Sequence, residues 1–277
     1  MNGESDAALR CNDLPEKVST YNISFIGAGN VAESLATGLA AAGHRIVSVA
    51  SRSGISAREL ALKTGAEYRN DLTVPGECDL LLICVNDNAV ADVAASVVTP
   101  PHTVIAHTAG SIPIEALGRT TGAGVLYPLQ TFTKAFPPDL RKVPFFIEAT
   151  DRPAMEMLRN TGRSIGAGVW ECDSQSRKKL HLAAVFTNNF SNFMMTAGES
   201  VAREAGIDPV LLRPLMEETA RKALRTGPEA AQTGPAVRHD TGTVKSHIEL
   251  LSFSPQYQIL YRLVSRMIAG HYRKRKK

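Results

Sequence analysis

Apolar and polar positions alternate along the first part of the chain in blocks of strand length and helix length. Ile23, Phe25 and Ile26 make an apolar run that stops at Gly27. About four turns of helical spacing follow, and a second apolar run covers Arg45 to Ala50. The alternation continues with a helix near Ser56 to Thr64, a strand Leu80 to Val85, a helix over Ala89 to Val97 and a strand Val104 to His107. Gly124 to Phe132 reads as a further strand broken by Pro128, which stops the ladder and turns the chain. The strand VPFFIEA, a helix from about Arg152 to Ile165 and a short strand near Val169 and Trp170 complete the series. This pattern predicts an α/β, doubly wound sheet over residues 21–172.

After Cys172 the strand patterns cease, and residues 173–270 are expected to form an all-α domain. Asp173 or Ser174 can cap a helix that runs through about Ala205 and ends at Gly206, a length of roughly 48 Å. Such a helix forms the spine of a domain or crosses to a partner subunit. Helical spacing returns over Pro209 to Leu224 and Val244 to Leu251, around two Gly-Pro turns.

On a uniform helix of about 100° per residue, His181, Asn188, Asn192 and Glu199 fall within about 20° of one direction. Three of them lie in the otherwise apolar stretch LHLAAVFTNNFSNFMM. Burying imidazole and amide groups is costly unless they are paired, so this stripe faces a wet cleft or polar ligand, or else its members cap loops and satisfy one another across a subunit interface. The Gly234-Pro235 turn puts Gln232, Thr233 and Arg238 either at that cleft or on a solvent-facing loop.

At 277 residues, with 44% hydrophobic and 21% charged positions, the chain has the composition of a globular protein of two domains. Its longest apolar runs are of strand length, which argues against a membrane span. The formal charge of +4 comes from residues 273–277, five consecutive lysines and arginines; without them 26 basic residues face 27 acidic ones. A nucleic-acid partner is therefore not implied, and residues 271–277 read as a solvated basic tail. Residues 1–20 carry acids and lack an apolar centre, so they read as a disordered leader and not as a targeting signal. Cys11, Cys78, Cys84 and Cys172 are scattered without metal-like spacing, which suits a reducing cytoplasm and predicts no metal site.

The chemistry begins at the first glycine turn. Gly27, Ala28, Gly29, Asn30, Val31 and Ala32 form a GxGxxA pattern between a strand and a helix. That is a dinucleotide-binding βαβ unit in which Gly27 makes the turn and Gly29 admits a pyrophosphate to the helix N-terminus. At the end of the second strand a carboxylate would bind the ribose 2′-hydroxyl of NAD. Here Ser51, Arg52 and Ser53 offer a guanidinium and two hydroxyls instead, which selects NADP, unless Arg52 is an ordinary solvated arginine. Ligands in such sheets lie beyond the carboxyl ends of the strands, so Val85 and Asn86 are expected against the cofactor, with His107 close by.

Four segments carry a resemblance: FIGAGNVA, HTAGSIPIEAL, GVLYPLQTF, and RKKLHLAAVFTNNF with AQTGPAVRHD in the helical half. They resemble Rossmann-like oxidoreductases with an all-helical second domain of unassigned function, of the 6-phosphogluconate dehydrogenase C-terminal type. That family is related to pyrroline-5-carboxylate reductase and more distantly to deazaflavin-dependent NADP oxidoreductases and 3-hydroxyacid dehydrogenases. The segment TGPAVRHDTGTV stands where pyrroline-5-carboxylate reductase has a glycine-rich substrate loop. Lys178 and Lys179 are followed by Leu182 and Ala183, not by the asparagine that 3-hydroxyacid dehydrogenases carry one turn beyond their lysine. The resemblance implies an NADP-dependent reductase, homodimeric through its helical domain, acting on a small-molecule substrate.

Reduction of a carbonyl or imine needs a proton donor beside the hydride, and histidine suits neutral pH. His181 is the expected general acid and Asn188 the residue that orients the substrate. His107, Gln130 and Thr233 complete a polar wall, and Asn192 lies beside the substrate. His181 also fits a substrate-binding or purely structural role. Pyrroline-5-carboxylate reduction and a non-catalytic NADP(H) sensor are the alternative functions.

Overall fold

The computed structural model describes residues 19–165 and 168–273, so most of the leader, Cys11 included, and most of the basic tail lie outside the described residues. The chain divides into two compact units between Val185 and Phe186.

The first unit is built on one eight-stranded sheet. Its strands are β1 (Asn22–Ile26), β2 (Arg45–Ala50), β3 (Glu67–Arg69), β4 (Leu80–Ile83), β5 (Val104–His107), β6 (Ala123–Pro128), β7 (Phe145–Ala149) and β8 (Val169–Glu171), in the order β3-β2-β1-β4-β5-β6-β7-β8. The first six run parallel, and β7 turns antiparallel to β6, with Pro128 at the end of β6 opposite Phe145. Because β6 ends there, Gln130 and Thr131 fall on the following loop and not in a strand.

Around the sheet stand α1 (Asn30–Ala41), α2 (Gly54–Thr64), α3 (Val90–Ser96), α4 (Arg152–Ser164) and α5 (Ser174–Ala184). The central strands are mostly apolar because both faces are covered, with Ser24, Ser48 and His107 as buried polar exceptions, and two buried clusters lie on them. Local chemistry sets the helix ends. Asp151 and Asp173 accept from the N–H groups of Ala154 and Ser176 at 2.9 and 2.7 Å, starting α4 and α5, and Gly65 in the left-handed region stops α2.

The chain leaves β1 toward β2 and β3, then returns to place β4 on the other side of β1. The carboxyl ends of β1 and β4 are therefore the switch point at which such sheets hold ligands.

In the second unit the helices are α6 (Ser191–Glu204), α7 (Arg213–Thr226), α8 (Pro228–Ala231), α9 (Pro235–Arg238), α10 (Thr241–Leu250) and α11 (Pro255–Arg273). The expected single long helix is instead α5 and α6 joined by a π-helical segment, Val185–Phe190. A π turn takes more residues than an α turn, so the uniform angular step that aligned His181, Asn188, Asn192 and Glu199 fails across it. The premise of burial fails as well: Asn188 and Asn192 are exposed, and so are the neighbouring Phe186, Phe190 and Phe193. Among the described residues, no helix is long and apolar enough to cross a membrane.

Candidate active site

Gly27 closes the turn after β1 with φ of 108°, and its N–H donates to the Ala50 carbonyl at 2.7 Å. A side chain there would collide with the Cys84 carbonyl beyond β4, so the loop passes where only glycine fits. Gly29 differs. Nothing lies within 4 Å of a Cβ built on it, and no side chain caps the α1 N-terminus that it precedes. Open space beside uncapped helix N–H groups is what a pyrophosphate requires.

This cradle is one end of a groove of about 570 Å³ lined by Gly27, Ala28, Gly29, Ser51, Arg52, Val85 and Asn86 among others. Seven of the ten expected cofactor residues thus share one cavity. Val31 lies in the first turn of α1. Asn30, which opens that helix, turns its amide to the Phe132 carbonyl at 2.8 Å and ties the loop after β6 to it. Ser53 is the N-cap residue of α2 without a capping side-chain bond.

Arg52 is exposed and has no ion-pair or hydrogen-bond partner among the described residues. A carboxylate that the sequence reading missed, Asp71, also lines the groove. It accepts from the Thr73 N–H at 2.8 Å and pairs with Arg69 at 3.3 Å, and these two contacts hold its pKa below the usual carboxylate range. Its charge is already engaged, whereas Arg52 lines the same groove with no such partner among the described residues.

The second cluster lies at the same edge of the sheet, beyond β5 and β6. His181 on α5 sets Nδ1 3.0 Å from the Tyr127 hydroxyl near the end of β6, with the rings edge to face. Gly110, after β5, closes the third side: a Cβ there would lie 2.6 Å from His181 Nδ1 and 2.8 Å from Tyr127 Cζ. Burial raises the Tyr127 phenol pKa, so the hydroxyl keeps its proton at neutral pH.

One turn before His181, the fully buried Arg177 pairs with Glu148 of β7 and donates to the Ile112 carbonyl at 2.6 Å and the Ser174 hydroxyl at 3.1 Å. Ser174 in turn donates to Glu148 at 2.7 Å. This network pins α5 to the sheet and seats His181 against Tyr127. The sequence reading assigned Arg177 no role; its spacing, Ser174, Arg177 and His181 on one helical face, was the missed signal.

His107 does not join an open polar wall. β5 pairs with β4 and β6, so its residues are enclosed and His107 has no exposed surface. Its Nδ1 accepts from the Ala109 N–H at 3.2 Å, and Nε2 has no partner of hydrogen-bond geometry. Burial first, and then the Arg177 charge, hold its pKa down at about 4, although the Pro113 carbonyl and Asp87 pull the other way. A ring kept neutral and sealed in the sheet is not a proton donor to substrate. Gln130 is exposed and binds its own neighbour, the Thr131 N–H. Asn188, Asn192 and Thr233 belong to the second unit, where Thr233 lines an apolar cavity with Met194 and Tyr257.

The switch-point groove and its glycine turn define a Rossmann-type dinucleotide-binding protein. Residues 22–110 match the family model of NADP oxidoreductase, coenzyme F420-dependent, and residues 143–268 match that of a domain of unknown function, DUF2520. A Bacteroides fragilis protein provisionally assigned as an NADP oxidoreductase is 40% identical, with 91% of this chain and 98% of that one covered and a TM-score of 0.85. The fold is shared with two more distant structures. One is a reductive aminase of Aspergillus terreus solved with NADPH and ethyl levulinate (18% identity, 91% and 95% covered, TM-score 0.67). The other is a pyrroline-5-carboxylate reductase of Coxiella burnetii (20% identity, 92% and 98% covered, TM-score 0.55). No curated protein matches the chain. The chain belongs to the family of NADP oxidoreductases that join this Rossmann-type domain to the DUF2520 domain.

Proposed function

We propose that this protein reduces a small carbonyl or imine compound with NADPH, and that His181 supplies the proton. The observation that carries the reading is the pairing of a seated, solvent-reachable histidine with the cofactor groove at one edge of the same sheet. When bound, NADPH supplies a hydride to the carbon of the C=O or C=N bond. The chain's own residues do the rest. The loop at Gly27 and Gly29 and the α1 N-terminus hold the pyrophosphate, and Arg52 with Ser51 binds the 2′-phosphate. Val85 and Asn86 lead the groove past β4, where Asp87 bonds Ser111 next to Gly110 and so links the groove loop to the His181 seat. There His181 gives a proton to the oxygen or nitrogen, leaving an alcohol or amine.

The test is NADPH oxidation over a panel of small ketones, aldehydes, keto acids and cyclic imines, pyrroline-5-carboxylate included. His181→Ala is expected to lower kcat by about 10² to 10⁴ while NADPH affinity holds. A loss of less than about threefold removes His181 as the acid. Absence of turnover by the wild type on every member would favour a sensor of NADP(H).

We also propose that the helical unit pairs with a second copy of the chain. In that unit the buried apolar residues among those described are Ala202, Ala236 and Leu251, while Phe193, Leu215, Leu224 and Ile259 are exposed by half or more. So much uncovered apolar surface calls for a partner.

A further inference from the structure

We propose that Tyr127 fixes the tautomer and the direction of His181, so that Nε2 is the ring atom presented for proton exchange. The proposal rests on the reading of His181 as the proton donor. An imidazole has two nitrogens, and the hydrogen bond made by one decides which proton the other carries. Here Nδ1 is taken by the phenol at 3.0 Å, while Nε2 has no hydrogen-bond partner among the described residues. The ring cannot easily turn over. Gly110 lies against Nδ1 and Cγ on one side, the Tyr127 ring meets it edge to face with centroids 6.0 Å apart, and Arg177 holds the helix one turn upstream.

A hydroxyl serves both charge states of the histidine, because it accepts from Nδ1–H of the imidazolium and donates to the bare Nδ1 of the neutral ring. A carboxylate could only accept, and a phenylalanine could do neither. In the reduction the imidazolium gives its Nε2 proton to the substrate heteroatom, keeps Nδ1–H on the phenol oxygen and regains a proton from water. A phenol is a better donor than acceptor. At a pH where the ring is neutral, its one proton therefore rests on Nε2. Tyr127 acts through His181 and is a positioning residue.

The experiment records ring nitrogen-15 shifts of His181 at alkaline pH, assigned by their loss in His181→Gln, in the wild type and in Tyr127→Phe. The wild type should show a single tautomer with unprotonated Nδ1, and Tyr127→Phe should show shifts averaged over both tautomers. On a substrate that the wild type turns over, Tyr127→Phe should lower kcat by about tenfold, the loss of one hydrogen bond, with KM for NADPH unchanged. Gly110→Ala, whose methyl displaces the ring, should average the tautomers in the same way. Should Tyr127→Phe fail to fold, the wild-type spectrum and Gly110→Ala still decide. A protonated Nδ1 in the neutral wild type, or identical spectra in wild type and Tyr127→Phe, would overturn the proposal. The spectra need no substrate. An inactive enzyme with the expected tautomer would therefore refute the proposed reaction and leave the role of Tyr127 in setting the ring supported.

Discussion

At Gly27 the backbone needs a positive φ and clearance from Cys84, whereas at Gly29 φ is −79° and the space around the α-carbon is open. The two glycines of the motif therefore separate fold from function. Gly27→Ala is expected to lower unfolding stability by at least about 2 kcal/mol, from the left-handed backbone cost and the clash together. Gly29→Ala should leave the melting temperature nearly unchanged and weaken NADPH binding by tenfold or more, because its methyl intrudes where the pyrophosphate approaches. Thermal melts and NADPH titrations of both variants check this; a Gly29→Ala protein that binds NADPH as well as the wild type contradicts it. The GxGxxA spacing revealed both positions and their separate roles, but not the Cys84 carbonyl that closes the space at Gly27. Tyr127 escaped notice because it sits inside an apolar strand pattern, where an aromatic reads as core.

Among the elements, strands β1, β2, β4 and β5 and the helices between them were legible from apolar runs bounded by glycine and polar residues. β3 was missed: three residues, Glu67–Arg69, are too few to show a period. The π segment was missed for a deeper reason. Periodicity assumes a constant turn, and VFTNNF carries no glycine or proline to announce a break. His181 survives as a candidate because it lies before that segment, on the helix that Arg177 anchors, while the aligned asparagines beyond it lose their common direction. The helices of the second unit expose apolar faces that a lone copy would leave in water. Sedimentation at micromolar concentration should therefore give twice the mass of the chain, and a monomer under those conditions would contradict the proposed pairing.

For the whole molecule, the enclosed His107 sets a pH limit on stability. In the unfolded chain a histidine titrates near 6.5. Folded, His107 titrates at about 4, so the unfolded state takes up its proton first as pH falls. Stability from this group is complete above pH 6.5 and drains away toward pH 4, by about 3 kcal/mol in total. His44, also held down by burial, adds in the same direction. The capping carboxylates of Asp151 and Asp173, whose pKa values are lowered by N–H donors, add their loss mainly at lower pH. Denaturant unfolding at pH 7 and pH 4.5 should show this fall, and His107→Gln should flatten most of it; an equal slope in that variant would assign the loss elsewhere.

In the proposed function a 2′-phosphorylated nicotinamide nucleotide docks between the Gly27–Gly29 turn and Arg52. Calorimetric titration of wild type and Arg52→Ala with NADPH and with NADH tests it most directly. The wild type should bind NADPH more tightly than NADH, and Arg52→Ala should lose about tenfold or more for NADPH alone, as expected for a charge-assisted phosphate contact. Equal NADPH affinity in the two proteins, or no binding of either nucleotide by the wild type, would contradict it.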